Sequence, residues 1–164
     1  MRAAASAISI VAAAIAVVSV FPPGAIAIWN RTESAPRGIY LITKSEVKIG
    51  DWAALSGASG TARWTAANGY LGTDWPVIKR IAALEGDEIC RDGLEILINR
   101  NLVAIALERD GGGRKMPRWE GCFTLQPDEV FLLNEHPRSL DGRYFGAEKK
   151  ESLLGSVRLI IRTD

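Results

Sequence analysis

Histidine and cysteine are scarce in this chain: one of the first and two of the second among 164 residues. His136 alone cannot build a multi-histidine metal centre, and neither Cys90 nor Cys122 belongs to a C-x-x-C pair. Metal binding is therefore not expected. Excess positive charge is missing too, with 20 Lys and Arg against 19 Asp and Glu. Setting Arg2 aside leaves the two signs equal, and no basic block or stripe stands out. A nucleic-acid partner needs such a footprint, so none is expected. No internal repeat and no long amphipathic helix is legible either.

What is present begins with an apolar run. Residues 3–21 carry no charge, and as a helix rising ~1.5 Å per residue they reach roughly 28 Å, close to the thickness of a bilayer core. Pro22-Pro23-Gly24 then ends the run. Arg2 and the amino terminus form a short positive flank, and Ala25-Ile26-Ala27 has the small-x-small pattern of a signal-peptide cleavage site. Two readings follow: an anchor with the domain outside, or a cleaved leader that releases a soluble domain. Both export residues 30–164 as one domain and leave 1–29 as the membrane segment. In that location Cys90 and Cys122 are free to form a disulfide, or they serve as two small buried hydrophobes.

Beyond residue 30 the pattern is mostly strands. Residues 38–42, 48–55, 75–84 and 88–90 read as strands separated by Gly-Asp turns at Gly50-Asp51 and Gly86-Asp87. A hairpin is expected from 94–98 and 102–107, turning at Asn99-Arg100-Asn101, with a flexible turn at 110–114. Further strands are expected at 130–133 and 159–161, and residues 57–72 read as a loop with one helical turn at most. Short strands at irregular spacing predict a mainly β fold, a folded-over antiparallel sheet.

Two residues stand out chemically. Ser34 precedes Ala35-Pro36-Arg37-Gly38, a stretch that sets an exposed turn about ten residues past the apolar run. A serine hydroxyl is a weak nucleophile until a base takes its proton, and a serine before proline also occurs as a plain turn residue. Lys79 shares one strand face with Val77 and Ile81. An amine among apolar neighbours loses solvation when charged, its pKa falls, and the neutral form is a general base. The alternative is a lysine whose stem packs while its head reaches water. His136 offers a rival base for a triad, but its surroundings read as solvated.

Four stretches in order carry a family resemblance: Ser34–Tyr40, Ala67–Leu71, Ile78–Cys90 and Ser139–Gly146, with Trp119-Glu120-Gly121-Cys122 as a further match. The chain resembles the type I signal peptidases, most closely the conjugative-transfer peptidases of the TraF type, which mature pilin subunits. The resemblance implies a signal-peptidase-like β domain behind one transmembrane helix, in the bacterial inner membrane and facing the periplasm. It implies Ser34 as nucleophile, Lys79 as general base, and Thr32 as an oxyanion donor beside the Ser34 backbone N–H. It places Ser139 on the lysine amine and Asp141 in an ion pair with Arg143. It also implies a Cys90–Cys122 disulfide, no cofactor, and an exported precursor protein as partner, which in the TraF-type group is a pilin that can be cyclised.

General signal peptidases carry Gly-Asp-Asn where this chain has Leu133-Asn134-Glu135, and often a larger residue at Ala35. These departures favour a dedicated substrate. The alternatives are a general signal peptidase and a catalytically silent scaffold of a secretion apparatus.

Overall fold

The computed structural model describes residues 26–43 and 45–163. The apolar helix expected over residues 3–21 lies outside the described residues. Among those described, no helix is long and apolar enough to cross a membrane.

The first hairpin sets the frame. Strand β1 (Ala27–Asn30) pairs antiparallel with β2 (Gly38–Thr43), Asn30 lying opposite Gly38. The connection over residues 31–37 is thereby closed at its base by a paired ladder. Gly38 is required there: its φ is +150°, and a Cβ would lie 2.0 Å from the Ile161 carbonyl oxygen. Strands β3 (Trp52–Leu55), β4 (Val77–Ala83), β9 (Glu129–Leu132), β10 (Glu148–Lys149) and β11 (Leu153–Arg162) complete a seven-stranded sheet in the order β1-β2-β11-β3-β4-β9-β10. A four-stranded sheet, β7-β6-β5-β8, is built from β5 (Glu88–Asp92), β6 (Glu95–Ile98), β7 (Asn101–Ile105) and β8 (Gly121–Thr124). All the strand pairings are antiparallel, so the described chain is mainly β, as its alternation predicts.

Strand β4 lies between β3 and β9 and is buried on both faces. Val77 and Ile81 pack with Ala53, Leu55, Val130 and Leu132 on one side. Ile78 packs with Ile28, Ala35, Tyr40, Ala54 and Val157 on the other. Ala35 is therefore a core residue, and a larger side chain would have to displace that cluster. The small sheet covers a third cluster around Ile89, Ile96 and Phe131, and Cys90 is joined to Cys122 directly across β5 and β8. In the β6–β7 hairpin, Asn99 and Arg100 both have positive φ (50° and 67°), the geometry of a two-residue turn matched to strand twist.

Local reading falls short in several places. Residues 57–72 contain a real helix, α1 (Gly60–Ala67), whose N-cap Ser59 accepts from the Ala62 N–H at 3.1 Å. It turns Thr61, Ala62 and Thr65 inward, small residues that leave no apolar stripe to read. Strand β11 runs ten residues rather than three, because Gly155, Ser156 and Arg158 interrupt its apolar run while it pairs with both β3 and β2. The 110–114 turn is tied down: Asp110 Oδ1 accepts from the Gly112 and Arg114 N–H groups, and its other oxygen accepts from the Tyr70 hydroxyl. Strands β1 and β8 are weakly patterned and owe their form to their partners.

Candidate active site

The loop after β1 owes its shape to a buried asparagine. Asn30 Oδ1 accepts from the Thr32 N–H at 3.1 Å and from the Thr32 hydroxyl at 2.8 Å. Its Nδ2 faces the carbonyls of Thr32, Ala35 and Pro36, each at 3.0 Å. The Tyr40 hydroxyl donates to the Pro36 carbonyl at 2.7 Å. Between these ties stands Ser34, half-buried, its Oγ 3.3 Å from Thr32 Oγ1. Since Thr32 gives its proton to Asn30, Ser34 is the donor in that contact. Thr32 reaches an oxyanion only after its hydroxyl rotates away from Asn30.

Lys79 is 4% exposed and lies opposite Ala53 in the β3–β4 ladder. Its Nζ donates to Ser139 Oγ at 3.1 Å. Burial pushes the amine pKa down to about 8, opposed by the nearby Asp141 carboxylate and assisted by the Arg143 guanidinium. About a tenth of the amine is therefore neutral at pH 7. Ser34, Lys79 and Ser139 line the same cleft of about 220 Å³, whose other walls include Ile28, Trp75 and Ile78.

The segment after β9 holds this arrangement from below. Asp141 is the N-cap of a single turn, α2 (Gly142–Phe145), and is 1% exposed. Its Oδ1 accepts from Arg143 Nε at 2.8 Å, and its Oδ2 accepts from the Asn134 N–H at 3.0 Å. Arg143, 2% exposed, spends its remaining donors on the carbonyls of Asn134 and Pro137, at 2.6 and 3.0 Å. A buried ion pair survives only when its other lone pairs and protons are satisfied, and here they are. Gly142 has no alternative: a Cβ would lie 2.6 Å from the Phe131 ring.

Asn134 is the residue that sequence reasoning passed over. Its Nδ2 donates to the Ser34 carbonyl at 2.7 Å and lies 3.4 Å from the Ile78 carbonyl; its Oδ1 accepts from the Arg80 N–H at 2.8 Å. It thus fastens the Ser34 loop to the backbone on either side of Lys79. The departure from Gly-Asp-Asn at 133–135 was the available signal. His136, read as solvated, is instead half-buried and lines the cleft beside Ser34. Its Nδ1 accepts from the Arg138 N–H at 3.2 Å, which orients the ring along its own loop.

The chain is similar in sequence to proteins of conjugal and plasmid transfer. The plasmid transfer protein TraF of Escherichia coli is 26% identical over 143 residues, covering 80% of each chain. A probable conjugal transfer protein TraF of Sinorhizobium fredii is 31% identical over 80% of this chain and 75% of its own. The conjugal transfer protein TraF of Agrobacterium tumefaciens is 30% identical over 79% and 78%. The signal peptidase family, peptidase S26, matches residues 1–162. With nearly its whole length matched, and with TraF proteins among its relatives, the chain belongs to the signal peptidase family S26.

Proposed function

We propose that this protein is a membrane-anchored serine endopeptidase that cleaves an exported precursor with Ser34 and Lys79 as a catalytic dyad. Residues 1–29 hold it in the inner membrane and residues 30–164 form the periplasmic catalytic domain. The observation that carries the reading is the buried Lys79 amine, poised near pH 8 and held by Ser139 in the cleft that Ser34 also lines.

Neutral Lys79 takes the Ser34 hydroxyl proton as Oγ bonds to the scissile carbonyl carbon. The Ser34 backbone N–H and the rotated Thr32 hydroxyl receive the oxyanion. The intermediate collapses with loss of the C–N bond, and the Lys79 ammonium returns its proton to the departing amine. An ester on Ser34 remains. Lys79 next deprotonates water, or an amino group of the substrate, as it bonds to the ester carbon. The Ser34 Oγ–C bond then breaks, the Lys79 ammonium returns that proton to Oγ, and the product leaves as an acid or a cyclic amide. Ile28, Trp75, Val77 and Ile78 along the cleft favour apolar residues before the cut.

The conjugal-transfer relatives support a pilin precursor as substrate. Pairing of Ala27 with Leu41 and Ile28 with Tyr40 puts the Ala27–Ile28 bond inside a ladder, which favours retention of the anchor over its removal. A serine-directed acylating probe should label Ser34, and coexpressed pilin precursor should be shortened by wild type and not by Ser34→Ala. Absence of both would leave a silent scaffold. Efficient cleavage of many unrelated leader-bearing precursors would point to general signal-peptide removal.

A further inference from the structure

We propose that the disulfide-bridged small sheet positions the general base, through Arg91 on β5 and Trp119 just before β8. The inference rests on the Ser34/Lys79 reading and concerns two side chains remote from the cleft.

Helix α2 is one turn long and cannot sustain itself. Two donors from the small sheet hold its carbonyls. Arg91 Nη1 donates to the Arg143 carbonyl at 2.6 Å, and Trp119 Nε1 donates to the Gly142 carbonyl at 3.0 Å. Arg91 is 3% exposed, and its Nε is spent on the Gly93 carbonyl at 3.0 Å. An apolar side chain would fill that volume without bringing a charge out of water, so packing alone does not account for a guanidinium there.

The disulfide fixes the spacing of these donors. Arg91 follows Cys90, which pairs with Cys122 across the β5–β8 ladder, and Arg91 itself lies opposite Gly121. Trp119 stands three residues before Cys122, with its ring packed against Phe123 and Phe131. From α2 the path to the base is short. Arg143 gathers Asp141 and the carbonyls of Asn134 and Pro137, and Ser139 lies inside that closed segment with its Oγ on Lys79. If α2 shifts, Ser139 withdraws and water reaches Lys79. Because burial is the largest influence on that amine, its pKa then moves up toward the ordinary lysine range. Asp141 and Arg143 are the charged groups acting on Lys79; Arg118 and Glu120, which pair with each other, and the Tyr144 phenol are the titratable groups acting on Arg91.

The test compares Arg91→Met and Trp119→Phe with wild type. The phenyl ring keeps an aromatic face toward Phe123 and Phe131 and removes the donor, with loss of part of the indole volume. The Lys79 titration, and not Tm alone, is therefore read. Titration of the Lys79 Nζ by NMR in 15N-lysine-labelled protein reads the base directly, whether or not a substrate is known. Each variant should raise the Lys79 pKa by about one unit, which lowers the neutral fraction and kcat at pH 7 about tenfold with KM within about twofold. Arg91→Lys, which retains a donor, should recover part of the loss. A folded variant with the wild-type Lys79 titration overturns the proposal, and so does a fall in Tm with that titration unchanged. A wild-type protein that titrates low at Lys79 but neither acylates nor cleaves would sink the peptidase reading, while the variant titrations would still decide the positioning role.

Discussion

Asn134 donates to the Ser34 carbonyl at 2.7 Å across 100 positions of chain. The same side chain accepts from Arg80, so one amide joins the Ser34 loop to the strand that carries Lys79. Neither tie touches the Ser34 hydroxyl or the Lys79 amine. Asn134→Ala removes both and leaves a buried N–H and a carbonyl unpartnered, a loss of about 1–3 kcal/mol in holding the loop. Activity should fall about 10–100-fold, and Asn134→Asp should fare no better, because a carboxylate would face the Ser34 carbonyl. Wild-type cleavage rates in Asn134→Ala would contradict the assignment.

Activity should rise with pH as Lys79 loses its proton, with an apparent pKa of about 8. Lys79→Arg keeps a charge that cannot be shed near neutrality, so it should be as inactive as Lys79→Ala. Ser139→Ala should be milder, since it frees the amine without removing it. His136→Ala should keep most activity. An active Lys79→Arg, or a dead His136→Ala, would move the chemistry to another base.

The buried Lys79 amine is held at a cost to stability. The folded pKa of Lys79, about 8, lies below its unfolded value, so the unfolded chain binds more protons between pH 8 and about 10.4. Stability therefore rises with pH through that window, and the penalty is fully present below it. Lys79→Met should stabilise the domain at pH 6–7 by on the order of 1–3 kcal/mol while abolishing activity. The gain should vanish above pH 10.5 in chemical denaturation. An equal gain at both pH values would mean that packing, not charge, explains it.

The Cys90–Cys122 bridge closes a separation of 32 residues. In the chain-entropy model a loop of that size contributes about 3–4 kcal/mol. The double variant Cys90→Ser, Cys122→Ser should lose stability of that order in urea denaturation. Alkylation of unreduced protein should label neither thiol, and labelling of both would show that the bridge does not form in the cell.

The apolar run over residues 3–21 predicts an integral membrane protein. Carbonate extraction should leave the full-length chain in the membrane pellet. Recovery of a soluble form beginning near Ile28 would show that the leader is removed instead.

How much of this was legible depends on the range of the interaction. Side chains alternate along a strand, so Lys79 between Val77 and Ile81 was already on a buried face in the bare sequence. Turn chemistry around Pro36 and Gly38 likewise placed Ser34 on a defined loop, and the hairpin at Asn99-Arg100 followed from its residues. These are local rules, readable within a few residues of chain. The motif resemblance added Ser139, Asp141 and Arg143, and the structure brings Asp141 and Arg143 together as an ion pair.

Only the tertiary structure could decide the rest. Helix α1 has small residues on its inner face and no periodic signal, so its existence depends on Ser59 and on what it packs against. Strand β8 is mostly exposed and is held by β5 and the disulfide. Asn30 reads as a polar residue at a strand end and Arg91 as an ordinary strand residue, while Trp119 stands out only within a motif match and Asn134 only within a departure from one. Each acquires its role from a carbonyl or N–H that the fold brings within about 3 Å. Local composition made Ser34 and Lys79 candidates; the distant hydrogen bonds that hold their backbones decided where they stand, because a donor's partner is chosen by the fold and not by its neighbours in sequence.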